Sequence, residues 1–158
     1  MIRRFLPMVF LLLLVTVALI AWPQDQGPAS EPATQTISFR SLDIYVAPHG
    51  AQQALAAYQV ELRVTRGDAV IIGVEGGEHP AFTKPPYYDP AALQNQRILL
   101  AAFSTDQNLP HGKTRVARLH FQVRGNQAPE YSIKLDIAAD PVGKPLAAAA
   151  SVTQGDPR

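Results

Sequence analysis

The chain has 158 residues, no cysteine and a formal net charge of +1 at neutral pH. Because cysteine is absent, the sequence excludes a disulfide framework, a thiolate metal site and a lipid-modified cysteine. The balanced charge, without a basic cluster interleaved with aromatic residues, argues against nucleic acid as a partner.

An apolar segment opens the chain. Arg3 and Arg4 precede an almost unbroken apolar run from Phe5 to Trp22. A short basic stretch before an apolar core is the order that the export machinery reads. Residues 1–23 are therefore predicted to form a hydrophobic helix that serves as a signal peptide or a membrane anchor.

The fate of this segment stays open at the sequence level. A cleavage site needs small residues one and three positions before the cut, and Ala21 supplies one whereas Leu19 occupies the other position. The run also approaches the roughly 20 apolar residues that span a bilayer. The remainder is expected outside the cytoplasm, either anchored to the membrane or secreted, and no cofactor is expected.

Two polar segments flank the predicted domain. Residues 24–36 are rich in proline and poor in apolar bulk, which is typical of an extended linker. Residues 151–158 are predicted to be a disordered tail that follows a run of alanines. The domain itself is assigned to residues 37–150, a length that suits one domain.

The hydrophobic pattern of the domain has a period of two, which indicates strands. Apolar and polar residues alternate in the segments 58–65, 116–123 and 131–138. The segments 69–74 and 98–103 are apolar on both faces and are predicted to be strands covered on both sides. Residues 37–46 open the domain as one long strand or two short ones.

Turn residues separate these segments. Arg66-Gly67-Asp68 predicts a tight hairpin, and Asp89 followed by Pro90 predicts an N-capped helix that continues to Gln96. About seven or eight short strands at this spacing predict an all-β fold, a β-sandwich.

The order of the segments resembles the cohesin family of jelly-roll sandwiches, best known from bacterial cellulose-degrading assemblies. The matching stretches are AAYQVELRV, AVIIGVEGG, YYDPAALQNQRILLAAFST, LPHGKTRVARLHFQVRG and YSIKLDIAADPVGKPL, which together span roughly residues 40–150. The proline-rich stretch GEHPAFTKPPYYDP departs from the pattern of the family.

This resemblance implies an all-β jelly-roll-type sandwich and a non-catalytic recognition domain. Its partner would be a protein module, such as the calcium-loaded dockerin that cohesins hold, or a polysaccharide. The chain contains no dockerin-like calcium loop of its own. A structural or assembly role at the cell envelope is the alternative, because the anchor and linker would suit a spacer or subunit.

Catalytic and metal sites find little support in the sequence. The serines lack a nucleophile-elbow motif. Glu75, Glu78 and Asp89 are the carboxylates that could be paired for catalysis, and Glu78, His79 and Asp89 are the best metal candidates, but ordinary loop residues explain both sets more simply. The sequence therefore predicts neither an enzyme nor a metal site.

The proline-rich loop is the first candidate contact surface. It carries Glu78, His79, Phe82, Tyr87 and Tyr88 on a backbone stiffened by prolines. Exposed aromatic rings can stack on sugars or fill partner pockets, and prolines reduce the entropy lost on binding. The alternative is that Phe82 and one tyrosine fold inward as a lid over one end of the sandwich.

The polar face of the alternating strands is the second candidate surface. It would carry Glu61, Arg63, Arg118, His120 and Gln122 if their strands pair or neighbour each other. The resemblance implies that a sheet face takes the partner, where charges set orientation and specificity. The alternative is an ordinary solvated face.

Overall fold

The structure is a computed structural model, and it describes residues 36–50 and 52–155. The predicted export segment, the predicted linker up to residue 35 and the last three residues of the predicted tail lie outside the described residues. The described ranges cover the predicted domain apart from residue 51.

Seven strands form within the described residues. They are β1 (Ile37–Pro48), β2 (Ala57–Arg66), β3 (Asp68–Gly76), β4 (Arg97–Phe103), β5 (Thr114–Arg124), β6 (Glu130–Ala139) and β7 (Ala148–Gln154). Two short 3₁₀ turns, Pro80–Phe82 and Pro90–Ala92, lie between β3 and β4.

The strands form two antiparallel sheets, one of four strands in the order β3-β5-β1-β7 and one of three in the order β4-β2-β6. Their facing sides share one apolar core, in which Ile44 and Phe121 of the larger sheet meet Val60 and Leu100 of the smaller one, all four fully buried. The predicted all-β fold is confirmed, and the two sheets have the arrangement of a β-sandwich.

The predicted hairpin at Arg66-Gly67-Asp68 is wrong. The turn is tight, and Gly67 adopts a φ of 86°, but β2 pairs with β4 and β6 whereas β3 pairs with β5. The turn carries the chain from one sheet to the other. A short turn with glycine can connect two paired strands or two strands of different sheets, so the residues of the turn do not decide which strands pair.

The predicted helix after Asp89 is reduced to a single 3₁₀ turn. Asp89 is the N-cap, and its Oδ1 accepts a hydrogen bond of 2.9 Å from the backbone N–H of Ala91. The chain becomes extended at Leu93 and reaches a positive φ of 67° at Gln94. The backbone N–H of Gln94 bonds to the carbonyl of Ile71 at 2.7 Å, and this contact with β3 replaces a second helical turn.

Both ends of the domain are strands. The opening segment is the single long strand β1, one of the two possibilities left by the sequence. The alanine run begins β7, which pairs with β1 as far as Gln154. Residues 151–154, predicted to be disordered, therefore belong to an edge strand, because β1 offers them a ladder of backbone partners.

Candidate functional site

Strand β4 differs from its prediction in a way that defines the site. Its residues were predicted to be covered on both faces, but Leu99 is 39% and Phe103 is 66% exposed. Ile98 and Leu100 point into the core and are buried. The outward apolar residues of β4 thus lie on a sheet surface, at the edge of the three-stranded sheet.

A β-bulge adds another apolar side chain to this surface. Gln59 lies opposite Ile137, whereas the next residue, Val60, lies opposite Leu135, so β6 carries one extra residue there. Strict alternation predicted Ile137 on the inner face with Leu135. The bulge instead turns Ile137 outward, where it is 49% exposed, and lets Ala138 enter the core.

The proline-rich loop places one tyrosine beside these residues. Tyr87 forms an isolated antiparallel bridge with Ala101, its N–H donating to the Ala101 carbonyl at 2.8 Å and its carbonyl accepting at 3.0 Å. The Tyr87 ring is 72% exposed. It lies nearly parallel to the Phe103 ring, with 6.5 Å between centroids and 13° between planes.

We call this surface, the outer side of the three-stranded sheet together with Tyr87, the aromatic face. Its members are Ala57, Gln59, Glu61, Arg63, Tyr87, Arg97, Leu99, Ala101, Phe103, Lys134 and Ile137. Apolar side chains dominate one end and charged side chains the other.

Two glycines and one aromatic residue anchor the loop that presents Tyr87. A Cβ atom on Gly76 would lie 2.0 Å from the carbonyl oxygen of Thr83, so the loop approaches β3 at a distance that only glycine permits. The N–H of Gly77 donates to the carbonyl of Phe82 at 2.6 Å. Phe82 is buried, and its ring packs edge-on against Tyr58 at 5.3 Å.

The two interpretations of the loop aromatics each hold for different residues. Phe82 forms a lid over the core, and Tyr88 is half-buried against the same core. Tyr87 alone of the three is largely exposed. Among the loop aromatics, Tyr87 is thus the side chain most available to a partner.

An ion cluster occupies the other end of the aromatic face. The Glu61 carboxylate lies between two guanidinium groups, with Oε1 bonded to Nε of Arg63 and Oε2 bonded to Nε of Arg97 at 3.0 Å. Hydrogen bonds from Arg63 and Arg97 lower the pKa of Glu61 to about 2. Lys134 pairs with Asp136 at 2.6 Å, which raises the pKa of Lys134.

A groove of about 780 Å³ runs beside this cluster, along the edge of β4 that faces away from β2. Its lining includes Arg63, Tyr87, Tyr88, Asn95, Gln96 and Arg97. The structure thereby brings together three of the predicted contact residues: Arg63, Tyr87 and Tyr88.

The remaining predicted contact residues lie elsewhere. His79 caps the first 3₁₀ turn, its Nδ1 accepting from the N–H of Ala81 at 3.2 Å. Glu78 accepts from the backbone N–H of Arg115 at 2.9 Å. Both therefore help to shape the loop and do not line the groove.

Arg118 and His120 lie on β5, whose outward side chains face the opposite side of the sandwich. The predicted polar surface required β2 and β5 to pair or neighbour, and they belong to different sheets. Arg63 therefore shares no surface with Arg118 or His120. Gln122, two residues after His120 on β5, lies on the same face as His120.

Arg118 is buried in a bidentate pair. Its Nε and Nη2 atoms donate to the two carboxylate oxygens of Asp43 at 2.6 and 2.8 Å. Nearby, Nε2 of His120 lies 2.9 Å from Oε1 of Glu75. We call the outer side of the four-stranded sheet the buried-pair face.

The carboxylates considered for catalysis each meet a different neighbour. Glu75 contacts His120, Glu78 contacts the Arg115 backbone and Asp89 caps the second 3₁₀ turn. In the described part of the chain, no three or more histidine and carboxylate residues converge as a metal site would require. Nor do residues 36–50 and 52–155 contain a helix long and apolar enough to cross a membrane.

The members of the site that sequence reasoning missed include Arg97, Leu99, Phe103 and Ile137. The run from Ile98 to Phe103 contained a signal, since an apolar outer face is either covered or a contact surface. Ile137 offered none, because a bulge depends on the pairing of β6 with β2. No protein-family model, no curated protein and no solved structure matches the chain, so its function has to be inferred from this geometry.

Proposed function

We propose that this chain is an exported, non-catalytic, cohesin-like binding module that docks a protein partner through the aromatic face. The observation that carries the proposal is the exposed Tyr87–Phe103 ring pair on an apolar sheet surface. Exposed aromatic residues surrounded by polar ones are typical of the residues that dominate binding energy in protein interfaces.

The composition of the aromatic face supports a protein partner. Leu99 and Ile137 extend the apolar surface on either side of β2, and aliphatic side chains of this kind match the apolar centre of a protein interface. The ion cluster around Glu61 lies at the polar end, where charges set orientation and specificity more than affinity. We also propose that the sandwich has the jelly-roll connectivity of the cohesin family, which the sequence resembles.

A capture experiment tests the proposal. The full chain, solubilised in detergent, would be immobilised and exposed to the secreted proteins of its source, and Phe103→Ser is expected to reduce recovery of the partner at least tenfold. Val142→Ser is the matched control, because Val142 is also exposed, at 87%, and lies outside the aromatic face. Equal recovery by the wild type and Phe103→Ser would refute docking through this surface.

The alternative, a structural or assembly component of the cell envelope, makes a different prediction. It requires the domain to act as a spacer or subunit that associates with itself or with envelope proteins. Small-angle scattering that shows a concentration-dependent oligomer, unchanged by Phe103→Ser, would favour this alternative over the binding module.

A further inference from the structure

Two arginines face each other across the aromatic face. Arg63 of β2 and Arg97 of β4 are directly opposite in the register and both point outward. Like charges in directly opposite positions destabilise a strand pair. Glu61 lies between them and compensates one of the two positive charges.

Both guanidinium groups have N–H donors that the contacts with Glu61 do not use. Within the described part of the chain, Arg63 donates a hydrogen bond only through Nε, and Arg97 donates through Nε and Nη2. The side chains are 54% and 58% exposed. Glu61 therefore fixes both groups in place while their other terminal nitrogens stay accessible, and a fork of this kind binds a carboxylate in bidentate fashion.

The groove beside the pair supplies a different kind of contact. Tyr87, Tyr88, Asn95 and Gln96 line the groove beside the arginines, and Nδ2 of Asn95 also donates to the carbonyl of Ala91. Its volume of about 780 Å³ lies within the range of sites for small organic ligands. Phe103 and Ile137 of the protein-docking surface do not line it, whereas Tyr87 belongs to both.

We propose that this groove binds an anionic sugar residue, a pyranose ring that carries a carboxylate. Arg63 and Arg97 hold the carboxylate, the Tyr87 ring contacts the apolar face of the sugar, and Asn95 and Gln96 bond to its hydroxyl groups. The arginines could also hold an aspartate or glutamate side chain, but such a side chain has no ring and no hydroxyl groups for the other groove residues to contact. The aromatic wall and the amides match the remaining chemistry of a hydroxylated ring.

Calorimetric titration of the full chain in detergent with oligogalacturonate tests this assignment. Arg97→Gln removes a charged donor pair and is expected to weaken binding about tenfold or more. Arg97→Lys keeps the charge but lacks the planar pair of donors, so its affinity should lie between those of Arg97→Gln and the wild type. Arg124→Gln, which removes an exposed arginine from β5 on the other sheet, is the matched control and is expected to bind as the wild type does.

Glu61→Gln separates ligand binding from a structural role. Glutamine keeps an amide oxygen that can accept from the arginines but removes the negative charge that repels an anionic ligand, so binding of the anionic sugar should tighten. The two positive charges are then uncompensated, and the unfolding midpoint should fall. If Glu61 and Arg97 only stabilise the sheet, neither substitution will change affinity in this pattern. A loss of sugar binding in Glu61→Gln would contradict the assignment.

Three further results would overturn it. They are the absence of oligogalacturonate binding to the wild type, equal affinity for a neutral oligosaccharide of the same length, and tighter binding of polyglutamate, which would indicate an acidic protein segment. Ile137→Ser, on the side of β2 away from the groove, should weaken protein docking and leave sugar affinity unchanged. Failure of the groove and failure of the protein-docking proposal can therefore be told apart.

Discussion

On the buried-pair face the Arg118 side chain is 11% exposed and the Asp43 side chain 8%, whereas on the aromatic face Arg63 and Arg97 are 54% and 58% exposed. Both faces belong to strands that alternate between apolar and polar residues. The backbone of Gly155 lies against the first pair, since a Cβ atom there would be 3.4 Å from Nε of Arg118. Arginine is thus buried in a structural ion pair on one face and accessible to solvent on the other.

The largest expected effect arises from the buried pair. Arg118→Ala removes the guanidinium that holds both oxygens of the buried Asp43 carboxylate and leaves Arg115 Nη1, 3.8 Å from Oδ1, as a weaker partner. The loss in the free energy of unfolding should lie at the lower end of the about 3–5 kcal/mol that breaking a buried pair costs. Urea denaturation measures the loss. Arg63→Ala is the comparison on the aromatic face. It should change the urea midpoint little, because the Glu61 carboxylate remains hydrogen-bonded to Arg97.

A similar stability change for the two arginine variants would break the contrast between the faces. It would mean that the Glu61 cluster is part of what holds the sheet together.

The proline-rich loop shows the same contrast within a few residues. Phe82→Ala removes a ring packed against Tyr58 in the core and should reduce the free energy of unfolding by about 3 kcal/mol. Tyr87→Ala removes a ring that is 72% exposed and should cost no more than about 0.5 kcal/mol. Thermal unfolding of the two variants, followed by circular dichroism, would measure both, and equal losses would assign Tyr87 to the core.

The sequence was sufficient for the inner faces of β2 and β5, because burial on one side imposes a period of two. It was not sufficient for the pairing of β2 and β3, since the turn at Gly67 fits a hairpin as well as a crossing between sheets. Nor could it place Ile137, whose orientation depends on a bulge opposite Gln59. The aromatic face combines residues from β2, β4, β6 and the loop, so it exists only once long-range pairing is known.

Gly76 connects the buried-pair sheet to the loop that supplies Tyr87. In Gly76→Ala the added Cβ would overlap the Thr83 carbonyl, and the forced shift of the loop should cost about 1–3 kcal/mol. Amide hydrogen exchange should show faster exchange at Phe82 and Tyr87. Gly73→Ala, on the same strand, is the control, because a Cβ atom there would make only ordinary contacts, the nearest 3.5 Å away on the His120 ring. Unchanged exchange in the loop would show that Gly76 does not anchor it.

The smallest effect concerns the pH dependence of the Glu61 cluster. The pKa of Glu61 is about 2 in the folded chain, below its ordinary value of 4.5, because Arg63 and Arg97 bond to the charged form. The contribution of Glu61 to stability is therefore complete above pH 4.5 and is lost as the pH falls toward 2. It is small, because solvent screens exposed ion pairs.

Carboxyl-carbon chemical shifts from NMR would follow the protonation of Glu61 directly. The midpoint should lie near pH 2 in the wild type and return toward 4.5 in the Arg63→Gln/Arg97→Gln double variant, which lacks both donors. A wild-type midpoint near 4.5 would mean that the arginines are not fixed by Glu61, and the fork that the groove offers to a carboxylate would not be preformed.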